Sequence, residues 1–132
     1  KDLNHRRKES LRSFLINDIP VLPVICNELD LMPSIYKGQS VSLVLHSCSN
    51  YASSMEDRIE KYRQFARAMR DKGLINDPLT IVYVENSSAN EMVPSSKGAF
   101  RYEQGRLKLV NEKSLVKNAY VLNFASKRNY KA

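Results

Sequence analysis

The chain is poor in the residues from which most recognisable functional sites are built. Its 132 residues include two cysteines, two histidines, four glycines and no tryptophan. None of the glycines forms a Gly-x-Gly-x-x-Gly pattern or a phosphate-cradling loop before a helix, which argues against the standard nucleotide-binding loops. Two histidines and two scattered cysteines do not supply the four close ligands of a structural zinc site. We therefore expect no cofactor and no metal.

Long apolar runs are also missing. A membrane-spanning helix needs about 20 consecutive apolar residues, whereas the longest apolar stretch, residues 19–26, is short and contains two prolines. Residues 1–18 before it are too many and too charged for a signal peptide. Because the chain opens on Lys1 rather than methionine, we expect a single domain, residues 1–132, excised from a larger protein. Its compartment and oligomeric state stay open.

The chain does carry an excess of positive charge. Its 21 Lys and Arg residues against 14 Asp and Glu give a formal net charge of +7. A surplus of this size favours an anionic partner, such as nucleic acid, an acidic lipid surface or an acidic protein. Solubility alone would also account for it. The 42% hydrophobic share is ordinary for a folded domain, and the chain is long enough to bury a core.

Two segments have the periodicity of helices. Apolar residues recur at helical spacing over residues 2–17, and the polar break at Asn17 and Asp18 ends that pattern. The second segment, residues 55–72, has a longer apolar stripe. Ser54 lies three residues before Asp57, as in a capping box, and Gly73 supplies a C-terminal stop. We expect both segments to be helices.

The rest of the chain predicts strands. We expect them at residues 21–27, 40–48, 79–84, 99–103, 106–110 and 119–125, with a loop over 28–38 and a two-residue hairpin turn at 104–105. Two prolines favour a sheet edge or an irregular position for the first strand. The predicted fold is α+β: a mostly antiparallel five- to six-stranded sheet, with the helix over residues 55–72 packed on one face and an N-terminal helix.

One pair of residues could support nucleophilic catalysis. His46 and Cys48 are two residues apart on a predicted strand and therefore share a face. A Cys–His pair can provide a thiol nucleophile and its base. A buried thiol beside a half-covered imidazole is the alternative that we favour. A disulfide between Cys26 and Cys48 requires that their strands be neighbours.

Carboxylates in loops offer a second route to chemistry. Glu28 lies close to Asp30, and Glu85 close to Glu91, and either pair could hold a metal or share a proton. Loop carboxylates of this kind are usually solvated, and no accompanying pattern sets these apart. We predict no catalytic residue.

Basic residues form two patterns, one on a helix and one on a hairpin. Arg63, Arg67 and Arg70 make a stripe along the long helix, although a solvated flank is the other interpretation. On the hairpin, a sheet face that combines Arg and Lys with an aromatic ring can neutralise phosphates and stack bases. The predicted nucleic-acid-binding residues are Arg63, Arg67, Arg70, Arg101, Tyr102, Arg106 and Lys108.

These patterns favour binding over catalysis. The first hypothesis is a non-enzymatic recognition domain for an anionic partner, with RNA or DNA as the foremost candidate. The alternative is a protein–protein assembly domain whose basic surface is incidental, since edge strands and apolar loops also dock proteins. Salt separates the two, because phosphate binding weakens steeply with salt and apolar docking does not. An enzyme completed by another domain or subunit is the third hypothesis.

Overall fold

In the part of the chain that the structure describes, six strands form one mixed sheet in chain order. The computed structural model describes residues 13–85 and 96–110. Its strands are β1 (Phe14–Ile16), β2 (Ile19–Ile25), β3 (Val41–Cys48), β4 (Ile75–Glu85), β5 (Ser96–Glu103) and β6 (Arg106–Leu109). Strands β2, β3 and β4 are parallel, and the other neighbours are antiparallel. The fold is therefore α+β as predicted, but its sheet is mixed rather than mostly antiparallel.

Among the described residues, two helices cover one face of this sheet. Helix α1 (Glu28–Ile35) connects β2 to β3, and α2 (Met55–Asp71) connects β3 to β4. Because both crossovers step in the same direction and such connections are right-handed, both helices lie on the same side, where they also contact each other. The core lies between them and the sheet and includes Leu22, Leu29, Met32, Val44, Tyr62, Phe65, Met69, Ile81, Tyr83 and Phe100.

The N-terminal helix prediction is wrong over residues 14–16, which form β1. Asn17 and Asp18 both have positive φ, 49° and 66°, and together make a two-residue turn between β1 and β2. Asn and Asp tolerate this left-handed conformation, which matches the twist of a hairpin. The pair therefore reverses a strand and does not end a helix. The rest of the predicted helix, over residues 2–12, lies outside the described residues.

The loop predicted over residues 28–38 contains α1. Leu29, Met32 and Tyr36 recur at helical spacing, and all three are buried in the core. Pro33 lies inside the helix, and because proline usually ends helices, the sequence does not indicate a helix here. A helix of two turns is marginal alone, so the packing of its buried face holds it in place.

Strand β2 lies inside the sheet despite its prolines, which predicted an edge. The Cys26 amide, just past the strand, donates to the Ser47 carbonyl of β3 at 2.8 Å. The Ile25 amide points elsewhere and donates to Glu28 Oε1 at 3.2 Å. Along β2, every second backbone nitrogen thus faces β3. The nitrogen of Pro23, like that of Ile25, points away from β3, so the proline removes no hydrogen bond between the two strands.

Other predicted elements are confirmed. The Ser54 hydroxyl accepts from the Asp57 amide at 3.0 Å at the start of α2, and Gly73 follows its end with φ 69°. Gln104 and Gly105 form the β5–β6 turn with φ 53° and 78°. The strand predicted over residues 119–125 lies outside the described residues. Neither described helix is long and apolar enough to cross a membrane.

Candidate functional site

Three of the predicted binding residues share the sheet face that faces away from α1 and α2, hereafter the open face. Arg101 in β5 lies directly opposite Lys108 in β6, and Arg106 lies two residues from Lys108 on the same face. Arg101 is half-buried, and the other two are exposed. None of these three strand cations forms an ion pair within residues 13–85 and 96–110. Glu103 lies opposite Arg106 across the pair of strands.

The helix arginines are on the other side of the sheet. Arg63 is half-buried and pairs with Glu60 at 2.7 Å, while Arg67 and Arg70 are exposed on α2. The guanidinium of Arg70 reaches the β5–β6 turn, where a Cβ added at Gly105 would come within 3.0 Å of it. The six predicted cations therefore lie on two sides of the sheet, and Arg70 approaches the turn next to Arg106.

Tyr102 does not belong to either group. Its side chain is 3% exposed and lies in the core on the helix-covered face, as does that of Phe100. The alternation of β5 directs both rings inward and Arg101 outward. The prediction that Tyr102 offers a stacking ring is therefore corrected: the ring packs against the protein's own core.

Exposed apolar side chains lie elsewhere on the open face. Phe14 and Ile16 of β1, Ile25 of β2 and Val84 of β4 are all exposed, Ile25 by 62%. Ile25 and Val84 flank Ser47 in one row across three parallel strands. On this face, the exposed apolar side chains thus lie at β1 and at the ends of β2 and β4, and the cations lie at β5–β6. Between them, Val21, Leu43, Thr80 and Ala99 are buried.

A buried polar network lies where β2, β3 and β4 end, a common location for ligand sites in parallel sheets. Arg58 Nη1 is 2.9 Å from the Tyr62 hydroxyl, which is 2.7 Å from His46 Nδ1. His46 Nε2 is 2.9 Å from the Cys26 carbonyl. Because a carbonyl can only accept, Nε2 carries the proton, and Nδ1 of the neutral ring accepts from Tyr62. In each hydrogen bond of this series, the donor is therefore on the side of Arg58 and the acceptor is on the side of Cys26.

Arg58 also forms a buried ion pair with Glu85. The two residues are 4% and 6% exposed, and the guanidinium lies 4.0 Å from the centre of the Tyr83 ring. Sequence patterns did not single out Arg58, although its position four residues before Tyr62 puts it on the buried side of α2. Among the described residues, every buried side-chain nitrogen or oxygen has a hydrogen-bond partner. The network is closed and offers no unpaired group to a ligand.

The predicted Cys–His pair belongs to this network. His46 and Cys48 share the helix-covered face, and both are buried. Burial lowers the pKa of His46 and raises the pKa of Cys48. An activated pair needs the opposite, a thiolate beside an imidazolium. The geometry supports the interpretation as a buried thiol.

The loop carboxylates make structural contacts. Glu28 accepts from the Ile25 amide, and Asp30 accepts from the Tyr51 hydroxyl at 2.7 Å. Glu91 lies outside the described residues. Within the part of the chain that the structure describes, no three His, Cys, Asp or Glu side chains cluster so as to hold a metal ion.

Comparison with known proteins adds no further constraint. No protein-family model, no curated protein and no solved structure matches this chain. Because the buried network is fully satisfied, the candidate binding residues are the exposed cations and the exposed apolar side chains of the open face.

Proposed function

We propose that this chain is a non-enzymatic recognition domain whose open face binds an anionic partner, RNA or DNA, through Arg101, Arg106 and Lys108. The observation that carries the proposal is the register of β5 and β6, in which Arg101 and Lys108 are direct cross-strand neighbours. Like charges in that position repel and lower the stability of the sheet. A phosphate backbone bound along β5 and β6 would relieve this repulsion and would contact both Arg101 and Lys108.

The expected mode of binding is contact with phosphates and not with bases. Phosphate contacts give affinity without sequence information, whereas reading single-stranded bases uses exposed rings. Tyr102 and Phe100, the rings of β5, are buried. We therefore expect little discrimination among sequences.

The test is fluorescence-polarisation binding of labelled single- and double-stranded oligonucleotides over a range of salt concentrations. Three phosphate contacts predict a slope of about −2 for single strands in a plot of log K against log salt. The variant Arg101→Gln with Lys108→Gln removes two contacts and should bring the slope to about −0.7.

The matched control is Arg63→Gln with Arg67→Gln, which removes the same charge from the helix side of the sheet, away from the β5–β6 turn that Arg70 reaches. It should bind nearly as well as the unchanged chain. Absence of binding at low salt contradicts the proposal. So does a control that loses as much affinity as the strand variant, because general charge, or the helix stripe, would then account for binding.

The exposed side chains of Ile25 and Val84 favour a second candidate, a protein-assembly domain. They lie in one row with Lys97, four residues along β5 from Arg101, so the partner of matching chemistry is an amphipathic helix with acidic residues beside its apolar stripe. The probe is a labelled peptide with leucines at helical spacing and glutamates between them. Binding that persists at high salt and is lost in Ile25→Ser with Val84→Ser supports this candidate. Binding of oligonucleotides alone contradicts it.

A further inference from the structure

The two cysteines lie at the ends of neighbouring parallel strands. Ile25 pairs with Ser47, and the amide of Cys26 continues the ladder by donating to the Ser47 carbonyl at 2.8 Å. In a parallel ladder this bond sets Cys26 beside Cys48. Neighbouring strands are about 4.8 Å apart, and disulfides join Cα atoms about 4.4–6.8 Å apart. The strand spacing therefore suits a bridge between these two residues.

Both thiols also lie on the same side of the sheet. Cys48 belongs to the core under the helices, and Cys26 packs against that core from its margin. Both are free thiols, Cys48 buried and Cys26 half-buried. Cys26 has φ 47°, a left-handed conformation that is unfavourable for a residue with a side chain. The backbone therefore departs from regular strand geometry at Cys26, one of the two residues that a disulfide would join.

We propose that Cys26 and Cys48 form a reversible disulfide when the folded chain meets a peroxide. The more accessible thiol, Cys26, reacts first: its sulfur attacks a peroxide oxygen, giving a sulfenic acid and one water. The Cys48 sulfur then attacks the Cys26 sulfur, forming the S–S bond and releasing a second water. The two thiols lose two electrons and two protons, which the peroxide takes up. A dithiol reductant reverses the reaction.

Mass spectrometry tests this directly, because trypsin separates the two cysteines. Cleavage after Lys37 places Cys26 in the peptide of residues 13–37 and Cys48 in that of residues 38–58. The reduced chain is treated with hydrogen peroxide, blocked with N-ethylmaleimide and digested without reductant. The expected product is the linked pair, lighter than the two peptides by two hydrogens and separated by dithiothreitol. The oxidised chain should also melt at a higher temperature than the reduced one.

Variants and unfolding provide the controls. In Cys48→Ser, the sulfenic acid on Cys26 has no resolving thiol and should be trapped by dimedone. In Cys26→Ser, Cys48 should stay reduced at the same peroxide dose. The proposal is overturned if both native peptides carry maleimide after oxidation or become singly oxidised without linking. It is also overturned if linking is as fast in concentrated urea, because the fold would then play no part.

Discussion

Replacing Arg58 with methionine tests the energetics of the buried network. Methionine fills the space of the aliphatic part of the side chain, but it removes the guanidinium group, and with it the charge that faces Glu85, the contact with the Tyr83 ring and the donor to the Tyr62 hydroxyl. Because Glu85 is 6% exposed, its carboxylate cannot regain full hydration in the folded state. The variant therefore leaves a charge buried without its partner.

The expected cost is large on the scale of a small domain. Removing one member of a buried ion pair costs about 3–5 kcal/mol, out of a typical unfolding free energy of about 5–15 kcal/mol. With a urea dependence of about 2 kcal/mol per molar, the midpoint should fall by about 2 M. Arg58→Met with Glu85→Leu removes both charges and should recover most of the loss, since such replacements are often close to neutral.

Urea unfolding followed by circular dichroism supplies the measurement. The four chains of the double-mutant cycle give the coupling energy of the pair, because the bond to Tyr62 is lost equally in both Arg58 variants. The comparison is Arg63→Gln, which breaks the exposed pair with Glu60 and should cost less than about 1 kcal/mol. If Arg58→Met shifts the midpoint no more than Arg63→Gln does, the network does not carry the stability assigned to it.

Two further predictions concern pH and helix capping. Burial lowers the pKa of His46 below its ordinary value of about 6.5, so the unfolded chain binds more protons in mild acid. The contribution of His46 to the free energy of unfolding should be constant above about pH 7. Below about pH 6.5 it should fall by up to about 1.4 kcal/mol per pH unit. In urea titrations at a series of pH values, His46→Gln should remove that slope. Ser54→Ala should cost about 1 kcal/mol by removing the cap of α2. Ser54→Asp keeps a side-chain acceptor and should have nearly the melting temperature of the unchanged chain. Equal melting temperatures for the unchanged chain, Ser54→Ala and Ser54→Asp would contradict the capping role.

Elements with local signals could be predicted from the sequence. The ends of α2 depend on Ser54 and Gly73, and the β5–β6 turn depends on Gly105, so a few neighbouring residues determine each. Strand β1 and helix α1 were missed because similar local signals have two interpretations. Asn17 and Asp18 can end a helix or reverse a hairpin, and Pro33 can break a helix or lie within one.

The direction of strand pairing has no local signal, and the candidate site depends on it. Alternation in β5 places Arg101 and Tyr102 on opposite faces, but it does not determine which face is exposed. That choice follows from the parallel order of β2, β3 and β4, because two right-handed crossovers in one direction put both helices on a single face. The same topology buries Tyr102 of the sheet and Arg58 of α2 between the sheet and the helices, and it leaves Arg101 beside Lys108 on the open face. A chain with these strands in antiparallel order could expose the ring and bury the arginine, so the proposed binding surface is a consequence of topology as much as of composition.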